Sequence, residues 1–215
     1  MIDDHVLRKR MIEEQIKRRG VKDPATLNAM SIVPRHEFVP SLLKANAYED
    51  TPLPIGLGQT ISQPYIVALM TQCAELKPED SVLEIGTGSG YAAAVLSRIV
   101  NQVYTVERID DLVERSKARY KELGYHNIEV KSGDGTRGWP EMGPFDAVIV
   151  TAGAPIIPNS LKEQLKPGGR LIIPVGDAFS QQLLRIRKDN DNHFSEETME
   201  LVRFVPLIGE EGWRE

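Results

Sequence analysis

From residue 81 onward the chain alternates strand-like and helix-like segments, and this alternation narrows its possible folds more than any other feature. Strand patterns fall at 81–85, 102–107, 128–131, 145–151 and 170–175, with helical patterns at 89–100, 110–123 and 158–165. Strands separated by helices pair in parallel, and the helices cover the sheet. Residues 145–151, FDAVIVT, carry the unbroken apolar run of a strand buried on both faces. Lys166-Pro167-Gly168-Gly169 reads as the stop of the helix before it. Two later strand patterns, 182–187 and 199–206, are joined by a polar turn and read as a closing pair. The expectation is an α/β fold with a mostly parallel sheet and helices on both faces.

The first 80 residues follow another pattern. Residues 3–19 read as a highly charged helix, and 24–30 as a short one capped by Asp23 with Pro24 in its first position. The stretch DTPLPIGLGQTISQP at 50–64 holds too much proline and glycine for a long regular element. It also holds Leu53, Ile55, Leu57 and Ile61, so it is expected to pack over something. A helix at 63–76 places Ile66, Val67, Leu69, Met70, Cys73, Ala74 and Leu76 on one half of its wheel. Ala68, Thr71, Gln72 and Glu75 fall on the other half, so Cys73 is expected in the core. All 215 residues are expected in one domain. It has a helical and loop part to about residue 80 and a cofactor-binding core from 81 to 215.

Composition excludes several classes. A formal net charge of -5 and no Lys/Arg run disfavour nucleic acid as a partner. A single cysteine rules out an internal disulfide and suits a reducing compartment. The start MIDDHVLRKRM lacks the form of a secretory signal, and no segment approaches the ~20 apolar residues that span a bilayer. A soluble, cytoplasmic monomer without a membrane partner is expected.

The sharpest motif is VLEIGTGSGY at 82–91, with glycines at 86, 88 and 90 between a strand and a helix. Glycine there lets the backbone turn tightly and approach a ligand. The dinucleotide fingerprint G-x-G-x-x-G needs its third glycine at 91, where this chain has Tyr91. Glu84, beside the turn, would repel a pyrophosphate but suit a ligand carrying an ammonium and a sulfonium. Glu107, ending the second strand, can accept from ribose hydroxyls, or it can simply cap the following helix. Gly133-Asp134-Gly135 offers an acceptor for an exocyclic amine, or is an ordinary turn. Ser62 is placed as a helix N-cap ahead of Pro64, at a terminus that attracts anions. His5, His36, His126 and His193 lack ligand or triad spacing and read as surface or structural, so no metal is expected.

Several segments together resemble the protein-L-isoaspartate O-methyltransferase family along nearly the whole chain. They are PRHEFVP at 34–40, LPIGLGQTISQPYIVA at 53–68, VLEIGTGSGY, the Gly133-Asp134-Gly135 turn, FDAVIVTAGAP at 145–155, LKPGGRLIIPVG at 165–176 and FVPL at 204–207. The glycine turn is shared by many methyltransferases, whereas GQTISQP is much more specific. The resemblance implies a Rossmann-like class I methyltransferase sheet with an N-terminal helical extension. It implies S-adenosylmethionine as cofactor and S-adenosylhomocysteine as product. The acceptor would be the free α-carboxylate of L-isoaspartyl (or D-aspartyl) residues in damaged proteins. Ser62 would be the active-site residue. Glu84, Gly86, Gly88, Glu107, Asp134 and Gly135 would line the cofactor site, joined by Gln63 from the chain beside Ser62. FVPL would lie near the substrate peptide, and the final GEEGWRE receives no role.

Such an acceptor has an ordinary pKa of ~3.5–4 and is already ionised, so the absence of an obvious base is consistent. Positioning is the remaining work. Residues 50–64 are the expected lid, with Ser62 orienting the carboxylate. A nucleic-acid amine methyltransferase is disfavoured, because Thr151-Ala152-Gly153-Ala154-Pro155 lacks the Asn/Asp-Pro-Pro-aromatic motif. A small-molecule methyltransferase and a non-catalytic S-adenosylmethionine-binding regulator are the other rivals.

Overall fold

The computed structural model describes residues 3–214. The charged N-terminal segment is helical but changes pitch along its length. It comprises α1 (Asp4–Arg10), a π-helical stretch Met11–Ile16 and a 3-10 turn Lys17–Arg19, closed by Gly20 at φ 95°. Helix α2 (Pro24–Ile32) starts as expected, with the Asp23 carboxylate accepting from the Thr26 N–H at 2.8 Å. Residues 50–64 form a small hairpin, β1 (Leu53–Gly56) and β2 (Gln59–Ile61), turned through Leu57 and Gly58 at positive φ. Its Leu53, Ile55 and Ile61 enter the main core, so the apolar stretch does pack.

Helix α3 (Pro64–Cys73) is buried more widely than its wheel suggests. Ala68 and Thr71, expected on the outer half, are buried because α2 and the π-helical stretch lie against it. Cys73 is buried as expected.

The sheet contains β3 (Ser81–Ile85), β4 (Gln102–Glu107), β5 (Ile128–Ser132), β6 (Phe145–Val150), β7 (Leu165–Gly176), β8 (Gln181–Lys188) and β9 (Phe194–Val202). Their order is β5-β4-β3-β6-β7-β8-β9. The first five pair in parallel, and β8 and β9 close the sheet antiparallel. Four expected boundaries move. Helices α4 (Tyr91–Leu96) and α6 (Asn159–Glu163) are shorter than their patterns. Lys166-Pro167-Gly168-Gly169 opens β7 as a bulge, since Phe145 pairs with Leu165 but Ala147 pairs with Arg170. Strand β9 ends at Val202, leaving 203–206 free to cross the sheet ends.

Alternation along the strands sorts side chains to two cores. Val82, Val103, Ala147 and Ile172 face α2, α3, α4 and α5 (Asp110–Glu122). Leu83, Val148, Leu171 and Ile173 face Leu161 of α6 and the late residue Leu207. The chain leaves β3 for β4 on one side and meets β6 on the other. A parallel sheet opens a crevice beyond its carboxyl ends at such a switch point.

Candidate active site

That crevice is a cleft of about 310 Å³. Its floor is the glycine turn. Gly86, Gly88 and Gly90 adopt φ of 95°, 52° and 87°, the left-handed region that favours glycine. Space explains two of them further. A Cβ on Gly86 would sit 2.5 Å from Thr151 Oγ1, and one on Gly90 would sit 2.6 Å from the Tyr120 hydroxyl. Gly88 differs, because its nearest neighbour would be Ile55 Cδ1 at 3.7 Å. Its open side is the cleft, which leaves the backbone there accessible to a ligand. Tyr91, standing where a dinucleotide fold has glycine, is buried against Phe38 and starts α4.

Glu107 holds two backbone amides at the edge of the cleft. Its Oε2 accepts from Gly88 N–H at 2.9 Å, its Oε1 accepts from Ile109 N–H at 3.0 Å, and the residue lines the cleft. A carboxylate has about four acceptor positions, so two amides leave room for ribose hydroxyls.

Glu84 departs from expectation. It lines the cleft yet is completely buried, because β3 alternation turns it toward the α3–α4 side of the sheet. The Thr105 hydroxyl donates to its Oε2 at 2.6 Å and is itself paired with Thr87 Oγ1 at 2.7 Å. Glu84 Oε1 has no partner. Burial pushes this carboxyl up to about 8; the Thr105 bond opposes the rise and the neighbouring Glu107 charge adds to it. Burial thus works against the standing negative charge expected beside the turn and favours the protonated acid in the ligand-free chain. An orphaned buried acceptor beside a glycine cradle and a ribose-type carboxylate fits the cationic amino-acid end of S-adenosylmethionine.

Gly135 lines the cleft, whereas the half-buried Asp134 does not. Asp134 Oδ1 accepts from Thr136 N–H and Oγ1 at 2.8 and 2.7 Å, and Oδ2 accepts from Glu210 N–H at 2.8 Å. Its visible work is to hold the 135–137 turn and the C-terminal segment. Gly135 is close-packed, since a Cβ there would meet Ile85 Cγ2 at 2.5 Å.

The β1–β2 hairpin forms the rim, with Gly58 through Ser62 lining the cleft. A second groove of about 440 Å³ lies on its other side. Thr60, Ser62, Thr151 and Val205 line both cavities. Ser62 is not the expected N-cap. That position belongs to Gln63, without a side-chain cap bond, because the chain enters α3 one residue later. Among the described residues none hydrogen-bonds the half-buried Ser62 hydroxyl, so it is available at the junction. Gln63 lines the second groove rather than the cleft, and its Nε2 donates to the Asp50 carbonyl at 3.0 Å, closing the loop that carries the hairpin.

Sequence reasoning missed Thr151, whose hydroxyl donates toward the Ile85 and Gly86 carbonyls at 2.9 and 2.7 Å. It placed FVPL near the substrate peptide but gave the late segment no part in the cofactor cleft: Val205, Pro206, Leu207 and Ile208 line the cleft, and Val202, Arg203, Phe204 and Val205 line the groove. The FVPL segment was the available signal. No histidine lines either cavity; His5, His126 and His193 are exposed, and His36 pairs with the Tyr48 hydroxyl at 2.7 Å.

The family model for protein-L-isoaspartate (D-aspartate) O-methyltransferase matches residues 6–212. Protein-L-isoaspartate O-methyltransferase 2 of Pelobacter propionicus is 58% identical over 204 residues, 94% of this chain and 91% of the relative. The enzyme of that name from Trichlorobacter lovleyi is 54% identical over 214 residues, 100% of this chain and 99% of the relative. A solved protein-L-isoaspartate O-methyltransferase superposes with TM-score 0.84 at 32% identity, covering 98% of this chain and 67% of that one. A candidate enzyme of this kind from Plasmodium falciparum, in complex with S-adenosyl-L-homocysteine, superposes with TM-score 0.81 at 30% identity, covering 94% and 98%. The order of strands, the glycine cradle and these matches along the whole sequence agree, and the chain belongs to the protein-L-isoaspartate (D-aspartate) O-methyltransferase family.

Proposed function

We propose that this chain methylates the free α-carboxylate of L-isoaspartyl residues in damaged proteins and peptides, holding cofactor in the cleft and peptide in the groove. The observation that carries the assignment of roles is the junction. Ser62 lines both cavities and keeps its hydroxyl unengaged. S-adenosylmethionine, when bound, supplies a methyl group on a positively charged sulfur.

The chain's residues do the rest. Glu84 meets the cofactor's ammonium, Glu107 its ribose, and Gly135 with Leu207 and Ile208 encloses the adenine end. Gln63 and Asp134 support these walls from behind. Ser62 donates to the substrate carboxylate and sets its direction, a role of placement in which an overly strong bond would stabilise the ground state. The acceptor is already an anion at neutral pH, so no base is needed, consistent with cavities that lack histidine. Leu53, Ile55 and Ile61, packed beneath the hairpin, anchor it as a lid that limits water at the junction.

The acidic chain is taken to act on peptides rather than nucleic acid, away from membranes and as a monomer. Among the described residues no helix is long and apolar enough to cross a bilayer. The test is transfer of labelled methyl from S-adenosylmethionine to an isoaspartyl peptide and to its aspartyl twin. Base-labile ester on the first alone supports the reading; equal labelling of both, or none, defeats it.

A further inference from the structure

The chain's last stretch, Gly209-Glu210-Glu211-Gly212-Trp213, is bound to the functional walls more closely than an ordinary tail. The segment preceding it is one wall of two cavities: 202–205 line the groove, 205–208 line the cleft, and Val205 lines both. Little regular pairing holds that wall. Gly153 N–H donates to Val205 O at 2.8 Å, Leu207 N–H donates to Gly153 O at 2.8 Å, and Phe204 N–H donates to Gln181 Oε1 at 2.8 Å.

The following residues close a loop back onto these anchors. Trp213 N–H donates to Leu207 O at 2.8 Å, and Gly209 N–H donates to Trp213 O at 3.1 Å. The Trp213 indole Nε1–H donates at 3.0 Å to the Gly153 carbonyl, the same oxygen that holds Leu207. The Glu211 carboxylate accepts from both the backbone N–H and the hydroxyl of Ser160, at the start of α6. Glu211 N–H donates to Thr136 Oγ1 at 3.1 Å, and Glu210 N–H donates to Asp134. Both glycines are sterically required, since a Cβ on Gly209 would lie 2.1 Å from Asp134 Oδ1 and one on Gly212 2.3 Å from Leu207 O.

We infer that residues 209–213 are a clasp positioning the 202–208 wall, with Glu211 and Trp213 as its positioning residues, so that one segment sets cofactor affinity and peptide affinity together. The peptide half rests on the proposed function; the cofactor half does not. Neither residue lines a cavity, and both act through Leu207 and Val205. A wall shared by two ligands couples them, because each binds better when the other has ordered it.

The test compares Glu211→Ala, Glu211→Gln and Trp213→Phe with the unaltered chain. S-adenosylhomocysteine affinity is read by calorimetry, and KM and kcat are read on an isoaspartyl peptide. Loss of the Ser160 bonds or of the indole bond should weaken S-adenosylhomocysteine about tenfold, the ratio one hydrogen bond supplies. Peptide KM should rise several-fold while kcat at saturation stays within about twofold, as expected when binding common to ground and transition states is lost. Glu211→Gln, whose amide oxygen still accepts from Ser160, should recover most of both affinities. Amides at 205–208 should lose hydrogen-exchange protection in the Ala and Phe variants. Should Glu211→Ala fail to fold, Trp213→Phe carries the same measurements. Unchanged affinity for S-adenosylhomocysteine, a loss confined to kcat, or cofactor affinity that moves without peptide KM would each overturn the clasp. If the unaltered chain esterifies no isoaspartyl peptide, the function fails while the calorimetric arm still decides the cofactor half.

Discussion

Replacing Glu84 with glutamine should make the ligand-free protein more stable while making it a poorer binder of cofactor. Burial pushes this carboxyl up to about 8 from an ordinary 4.5. The unfolded chain at pH 7 has lost the proton that the folded chain keeps. Between pH 4.5 and 8 the folded state therefore binds more protons, and its stability falls as pH rises through that window. Above about 8 the folded group ionises too and the slope disappears. At pH 7 the cost is about 2.5 pKa units, or roughly 3 kcal/mol. Glutamine has nearly the same shape and cannot ionise, so the cost vanishes. Its amide still accepts from Thr105 but leaves an N–H where Oε1 was unpartnered, returning about 1–2 kcal/mol. The net gain is about 1–2 kcal/mol, or roughly 2–8 °C in Tm for a chain of this size. The assay is thermal unfolding of both proteins from pH 5.5 to 8.5, with S-adenosylhomocysteine titrated into each. Glu84→Gln should lose the wild-type decline in Tm with rising pH and bind at least about tenfold more weakly, having lost the charged partner. Parallel pH profiles, or a less stable variant at pH 7.5, would refute the idea that this buried acid is held neutral until cofactor arrives.

Other outcomes follow from the same geometry. Ser62→Ala should lower kcat strongly and keep cofactor affinity within a few-fold; a joint collapse in calorimetry and turnover would sink its orienting role. Gly88→Ala and Gly90→Ala should separate binding from folding. The first adds a methyl toward open cleft and should abolish cofactor binding at a cost near ~1 kcal/mol, whereas the second drives a methyl into buried Tyr120 and should cost ~2–4 kcal/mol in denaturant unfolding. Burial pushes the Cys73 thiol up to about 11, so a thiol reagent at pH 7.5 should leave the native protein unmodified and label it only on unfolding. Leu57, at φ 55° on the hairpin turn, should give about 0.5–1 kcal/mol on replacement by asparagine, seen as a raised denaturation midpoint.

Much of the architecture was legible because it is written in local periodicity. Two-sided apolar runs mark parallel strands, and FDAVIVT became β6, buried in the sheet's middle. The glycine turn was readable because three left-handed φ values demand three glycines. Errors gathered where a local pattern met a distant neighbour. Thr71 looked solvent-facing until the N-terminal helices covered α3, and Lys166-Pro167-Gly168-Gly169 looked like a stop until β6 drew it into the sheet as a bulge.

The same division runs through the site. Residue types and spacing determined the cofactor class, since Gly86 to Gly90, Glu107 and the segment ending at Ser62 each carry their chemistry in the chain itself. Three matters were decided only by tertiary structure. Glu84 favours its protonated form because strand alternation buries it completely. Asp134 spends its oxygens on Thr136 and Glu210, a residue 76 positions away. Ser62 gains its meaning from Thr151 and Val205, which join it only where the two cavities meet. Solvation and long-range hydrogen bonding depend on what the whole chain brings together, and no window of sequence contains them.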